Sequence, residues 1–174
     1  MGVRPAEPHD IAAIVDLSRR VQERLTASGS LQEFGPIPTE TVAAHVAAGT
    51  AHVLERDNRL IGGVFLEPAA TPVTPGLTAM LAGWGVSTDG ASLWFLQKLM
   101  VAPGERGAGL GLTLLDAAQK HVRSHDGGTI VLDCWAGNDK LRAFYADAGF
   151  HPHGVFPEKG YEVAVFVKGI GNRE

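Results

Sequence analysis

Apolar residues at Ile11, Ile14, Val15, Leu17, Val21 and Leu25 recur at helical spacing behind Asp10, which is placed to cap the helix, and Gly29 is placed to end it. A second helix is predicted from about Thr39 to Ala48, with Val42, Ala43, Val46 and Ala47 on its apolar side and Gly49 suited to a left-handed cap. Between them lies a loop bearing Gly and Pro that contains Glu33 and Phe34. Val3-Arg4-Pro5 reads as a short edge strand. Val53–Arg56 and Leu60–Leu66 read as an antiparallel hairpin around a turn containing Asp57-Asn58. The pattern then breaks. Residues 68 to 92 carry Pro68, Pro72, Pro75 and a Trp84 flanked by glycines, with no sustained period, and predict a long excursion. Such loops in compact domains are usually functional or disordered.

Regularity returns at Leu93–Val101, an apolar run broken only by Gln97 and Lys98, which predicts a central strand. A glycine-rich turn follows, then a helix to about His125 whose Leu114, Leu115, Ala118 and Val122 form a core stripe. Thr129–Cys134 is the next strand, so the order strand, turn, helix, strand is a right-handed βαβ crossover with parallel strands. Asn138–Ala148 predicts another helix, closed by Gly149, and Phe150–Phe156 with Tyr161–Val167 a final hairpin. The fold class is α+β with a mixed sheet, and the 174 residues, 45% of them hydrophobic, suit a single domain over 1–174.

Composition excludes several functions. Lys+Arg of 15 against Asp+Glu of 19 gives a net charge of -4, without the basic excess that nucleic-acid backbones require. No run approaches a membrane span. With one cysteine, Cys134, and no signal-like apolar run after Met1, the expected setting is the cytoplasm. A symmetric homodimer is the default assembly.

The turn Arg106-Gly107-Ala108-Gly109-Leu110-Gly111 leads from a strand into a helix, where successive backbone N–H groups can hold an anion. Glycine lets a pyrophosphate approach the main chain, and Arg106 adds a charged donor. A tight turn that binds nothing is the alternative. The dinucleotide fingerprint fails because Leu112 stands where its third glycine belongs, and no Gly-Lys-Ser/Thr of a P-loop follows.

The run Leu99-Met100-Val101-Ala102-Pro103-Gly104-Glu105-Arg106-Gly107-Ala108-Gly109-Leu110-Gly111 resembles the GNAT superfamily of acyl-CoA-dependent N-acyltransferases and meets its R/Q-x-x-G-x-G/A signature. Asn138 to Phe150 resembles the family's N-x-x-A/L-x-x-F-Y-x-x-x-G-F helix. The resemblance implies a mixed central sheet of about six to seven strands flanked by about four helices. It also implies that the strands ending at Val101 and Cys134 splay apart around the pantetheine arm.

The implied reaction moves an acetyl group from acetyl-CoA to a primary amine of a small molecule or peptide, by direct attack. A catalytically silent acyl-CoA-binding module and a plain dimerising domain are the rivals. By the same resemblance, residues 106 to 111 bind the pyrophosphate, the main chain of Leu99, Met100 and Val101 pairs with pantetheine amides, and a backbone N–H at Met100 polarises the thioester carbonyl. Asn138 contacts pantetheine or caps its helix. Phe144 and Tyr145 are also among the implied cofactor-binding residues, and Tyr145 is the general acid or an aromatic packing beside Phe144. The base is open, because Gln97-Lys98-Leu99 stands where many members carry a glutamate. Glu33, Glu67, Asp133 and a water relay are the candidates. Phe34 and Trp84 wall an acceptor pocket or cover core. His121 and His125 have a metal-compatible spacing without a third ligand, so no metal is expected. His151 and His153 read as edge residues, and Cys134 as a small buried hydrophobe rather than a nucleophile.

Overall fold

The computed structural model describes residues 2–87, 92–105 and 109–171. The strands are β1 (Gly2–Pro5), β2 (Ala51–Arg56), β3 (Arg59–Pro68), β4 (Leu93–Val101), β5 (Gly128–Trp135), β6 (His151–Glu158) and β7 (Tyr161–Ile170). The α-helices are α1 (Ile11–Ala27), α2 (Thr39–Ala48), α3 (Leu77–Gly83), α4 (Leu110–Ser124) and α5 (Asp139–Asp147). The seven strands form a mixed sheet of order β1-β2-β3-β4-β5-β7-β6. β4 and β5 are parallel, whereas β1·β2, β2·β3, β5·β7 and β6·β7 are antiparallel. Among the described residues no helix is long and apolar enough to cross a membrane.

The local signals hold in detail. Gly29 and Gly49 follow α1 and α2 at φ of +89° and +73°, the left-handed caps their positions called for. Asp57 and Asn58 both have positive φ, the backbone a tight β2–β3 hairpin turn demands. Two expectations change. Asp10 does not cap α1 through its side chain: a single 3-10 turn, Pro8–Asp10, precedes the helix, and the carboxylate accepts from Glu7 N–H at 2.8 Å and from the Arg4 guanidinium at 2.8 and 3.1 Å. Among the described residues there are five α-helices, the excursion contributing α3. At seven residues α3 shows only Leu77 and Leu81, one turn apart, too little to establish a period.

Chain contacts divide the protein into two compact units. The first comprises Met1–Gly29, Glu33–Leu66 and Gln97–Ala118; the second comprises Ser30–Gln32, Glu67–Leu96 and Gln119–Glu174. In the first, Ile14, Leu17, Val42, Leu54, Phe65, Met100 and Leu114 are buried, each contributing about 1.5–3 kcal/mol relative to exposure. Buried His45 stacks on Phe65 with ring centroids 4.3 Å apart, and its Nδ1 is bonded to Thr50 Oγ1 at 2.7 Å. In the second, Leu77, Leu81 and Trp84 of the excursion pack with Leu93, Phe95, Val131, Val163 and Val165. The excursion is therefore part of a core.

Candidate active site

In the first unit the informative feature is the last half of β4. Gln97, Lys98 and Leu99 are all half-buried after the buried run Leu93–Leu96, and Lys98 has a φ of +57°. A non-glycine residue in the left-handed region costs about 1–3 kcal/mol and clusters at functional sites. It re-aims the main chain immediately ahead of Leu99, Met100 and Val101. Met100 itself is buried. Its carbonyl lies so close to β3 that a Cβ built on Gly62 would stand 3.0 Å from it and 3.0 Å from Leu114 Cδ1, which is why glycine occupies that position.

Lys98, at the place of the expected glutamate, reaches the loop between α1 and α2. Its Nζ donates to the Phe34 carbonyl at 2.7 Å and sits 4.9 Å from the Phe34 ring centroid. Gln22 Oε1 accepts from the N–H groups of Phe34 and Gly35, and Ser18 Oγ accepts from Ile37 N–H at 2.9 Å. Phe34 is thus held in place, while Glu33 is exposed beside it.

Arg106, Gly107 and Ala108 lie outside the described residues. Beyond them Gly109 has a φ of +71°, and its carbonyl accepts the Thr113 N–H at 3.0 Å, which opens α4. The N–H groups of Leu110 and Gly111 belong to that first turn and have no acceptor within the helix. This is the donor set an anion takes. Glu105, ahead of the turn, carries the wrong charge for such a ligand. It is bonded to Arg56, and to Arg59 at 3.1 Å, which offsets that charge. The two arginines flank the β2–β3 turn, where their sequence position gave no hint of this pairing.

In the second unit the candidates gather at the end of β5 and on α5. Asn138 Oδ1 accepts the Leu141 N–H at 3.0 Å, so the helix cap is formed. Phe144 is half-buried with its ring 5.3 Å from that of Tyr145, and Tyr145 packs at 6.0 Å from both Phe150 and Phe166. Burial, reinforced by Cys134 and Asp133, pushes the Tyr145 hydroxyl far above its ordinary range, so it remains a proton-bearing donor. Burial and then Asp133 push the Cys134 thiol up to about 12. That direction disfavours the thiolate, the form in which a cysteine acts as a nucleophile.

The remaining candidates of this unit make contacts within the fold. Glu67 is fully buried, with Oε1 accepting the N–H groups of Val73 and Thr74 at 2.9 Å each and Oε2 the Thr74 hydroxyl at 2.6 Å. It clamps the start of the excursion. Trp84 is buried with its ring 6.2 Å from Phe95, and its carbonyl is bonded to His153 Nε2 at 2.7 Å. His121 and His125 stack at 4.4 Å, and both meet the Trp94 ring edge-on. Burial, then His125, lowers the pKa of His121.

Two residues of this unit escaped the sequence reading. Gln32 Oε1 accepts the Trp135 N–H at 3.0 Å, and Arg142 Nη1 donates to the Ala136 carbonyl at 3.0 Å. Gln32 has no local signal. Arg142 does: it stands one turn before Tyr145 on the same helix.

A family model described as the acetyltransferase (GNAT) family matches residues 18–150. The uncharacterized N-acetyltransferase YesJ of Bacillus subtilis (strain 168) is 29% identical over 149 residues, covering 84% of this chain and 79% of that protein. A GNAT-family acetyltransferase from Listeria monocytogenes 4b F2365 superposes with a TM-score of 0.75 at 23% identity, over 96% of this chain and 93% of the other. The ribosomal-protein-alanine N-acetyltransferase of Brucella melitensis gives 0.69 at 18% identity, over 97% and 99%. Likeness at these identities speaks for the fold alone.

Proposed function

The chain belongs to the acetyltransferase (GNAT) family, and from that premise we propose that it transfers an acetyl group from acetyl-CoA to a primary amine by direct attack. The observation that carries the reading is the break in β4 at Lys98, whose left-handed φ turns the main chain just before Leu99–Val101. Strain of that kind persists only where the surroundings enforce it. It supports a β4 edge on which the main-chain groups of Leu99 and Val101 are presented to the thioester and to pantetheine, as an added strand would be, while those of Met100, whose carbonyl lies against Gly62, face β3. The donor set at the start of α4, with Glu105 offset by Arg56 and Arg59, suits the pyrophosphate.

Acetyl-CoA supplies an activated acyl carbon. The residues contribute orientation, a main-chain oxyanion donor on β4 beside Met100 and a hydrogen bond from Tyr145 toward the departing sulfur. A thiol of free-cysteine type has a pKa of about 8.5 and leaves without complete protonation. A tyrosine hydroxyl far less acidic than that acts by stabilising the thiolate rather than by full proton transfer. With Lys98 engaged by Phe34 and Glu67 by the excursion, exposed Glu33, half-buried Asp133 and a water relay are the routes left for the amine proton.

Thermal unfolding with and without acetyl-CoA is the direct test. A hundredfold excess over Kd stabilises by about 2.7 kcal/mol, a rise of about 5–10 °C for a chain of this size. No shift with any acyl-CoA overturns the proposal. A shift without thiol release across an amine panel selects the silent-module reading, which the Lys98–Phe34 bond at the glutamate position favours.

A further inference from the structure

An open cavity of about 550 Å³ is lined by Leu31, Trp135, Arg142, Val155, Tyr161 and Glu162, all in the second unit. It opens at the carboxyl end of β5, the end at which ligands of sheets with parallel strands bind. Arg142 and Tyr145 are one helical turn apart on α5. The Arg142 charge bears on Cys134, and Cys134 bears on the Tyr145 hydroxyl.

Three features restrict what the cavity takes. Arg142 is half-buried and anchored through Nη1 to the Ala136 carbonyl, which leaves the other donors of its planar fork for an anion. That fork matches a carboxylate. Leu31 and Val155 are 58% and 45% exposed, and with the half-buried Trp135 and Tyr161 rings they give the cavity apolar walls open to solvent. The third feature concerns the sheet edge. Thr129 N–H points to the β4 side of β5, donating to Ser92 at 2.8 Å; by alternation Trp135 N–H lies on the same edge, and there it donates to Gln32. An extended peptide binds a sheet by adding main-chain bonds at such an edge. Here the donor is already occupied by a side chain of the protein itself.

We infer that the acceptor is a free apolar α-amino acid. Its carboxylate pairs with Arg142, its side chain lies against Leu31, Val155 and the Trp135 and Tyr161 rings, and its amine faces the end of β5. Glu162, of opposite sign in the same cavity, complements the ammonium form in which such a molecule arrives. In the reaction the ammonium loses a proton to water. The nitrogen then forms the C–N bond to the acyl carbon as the C–S bond breaks, a second N–H proton is released, and the sulfur leaves as thiolate to be protonated to the thiol. The inference rests on the acyl-transfer reading above and specifies its substrate class.

The test compares L-leucine and L-phenylalanine with their carboxamides and with the tripeptide Leu-Ala-Ala, by thiol release at fixed acetyl-CoA. Isothermal calorimetry with N-acetyl-L-leucine and its amide reads the same recognition without turnover. Loss of a charged hydrogen-bonding partner corresponds to about 10–100-fold, so the free acids exceed the amides in kcat/KM by that factor. Arg142→Gln removes the preference and Arg142→Lys keeps part of it, while the acetyl-CoA thermal shift persists in both and shows that they are folded. Absence of that shift in the unaltered protein is failure of the acyl-CoA reading instead. With the shift intact, the inference is overturned by amides or the tripeptide reacting as well as the acids, by no amino acid binding or reacting, or by Arg142→Gln retaining the full preference.

Discussion

Replacing Glu67 by alanine deletes the acceptor for the N–H groups of Val73 and Thr74 and for the Thr74 hydroxyl, at a position shut off from solvent. Each hydrogen bond to a charged group is worth about 1.5–3 kcal/mol net. The three share one carboxylate, and Val73 and Thr74 are only half-buried, so part of the loss is recovered by hydration. The expected cost is about 3 kcal/mol, which lowers Tm by about 6–12 °C in a chain of this length. Glu67→Gln keeps one oxygen for the two N–H groups and presents an amide to the Thr74 hydroxyl, which can accept as well as donate. Its cost should be about 1 kcal/mol. Urea unfolding followed by circular dichroism measures both, and thiol release per folded molecule supplies the second axis. A catalytic base replaced by glutamine loses about 10²–10⁴-fold in kcat with stability little changed. A structural clamp shows the reverse. An alanine variant within 1 kcal/mol of the parent, or a glutamine variant that is stable but inactive, refutes the assignment of Glu67 to the excursion.

Gly62→Ala puts a Cβ 3.0 Å from the Met100 carbonyl and from Leu114 Cδ1, so β4 must move between Leu99 and Val101, the residues proposed to meet the acyl donor. A loss of about 1–3 kcal/mol of stability is expected, with a weakened acetyl-CoA thermal shift; an unchanged shift would separate Leu99 and Val101 from the acyl donor. Arg4 holds the Asp10 carboxyl below the usual range, so the stability it adds is present above the unfolded pKa of about 3.9 and lost as pH falls through the lower folded value. Asp10→Asn should therefore cost stability at pH 7 and flatten the acid limb of the unfolding curve below about pH 4; an acid limb as steep as the parent's would contradict this. Tyr145→Phe keeps the ring among Phe144, Phe150 and Phe166 and should lower kcat by about tenfold at unchanged acetyl-CoA Kd. Because burial keeps that hydroxyl protonated, the variant should show the same alkaline profile as the parent up to pH 10, and a limb that vanishes with the hydroxyl would show it titrating instead.

Whatever depends on neighbours along the chain was legible from residue order. The periods of α1, α2, α4 and α5, the glycines closing α1 and α2 and the Asp57-Asn58 turn are written within short windows, and the βαβ crossover follows from the order of the elements they define. So is the resemblance carried by Leu99–Gly111 and Asn138–Phe150. The missed or redirected features join residues far apart in sequence. Lys98 meets Phe34 across 64 positions, and Trp135 meets Gln32 across 103. Glu67 looked like any strand-end carboxylate until Val73 and Thr74 folded over it, and α3 is too short to declare a period before Leu93, Phe95 and Val131 bury it. Side-chain periodicity is a property of local backbone geometry and survives in the sequence. The partner of a single lysine, glutamine or carboxylate is chosen by which distant segments the sheet order brings beside it, and that choice exists only once the chain is folded.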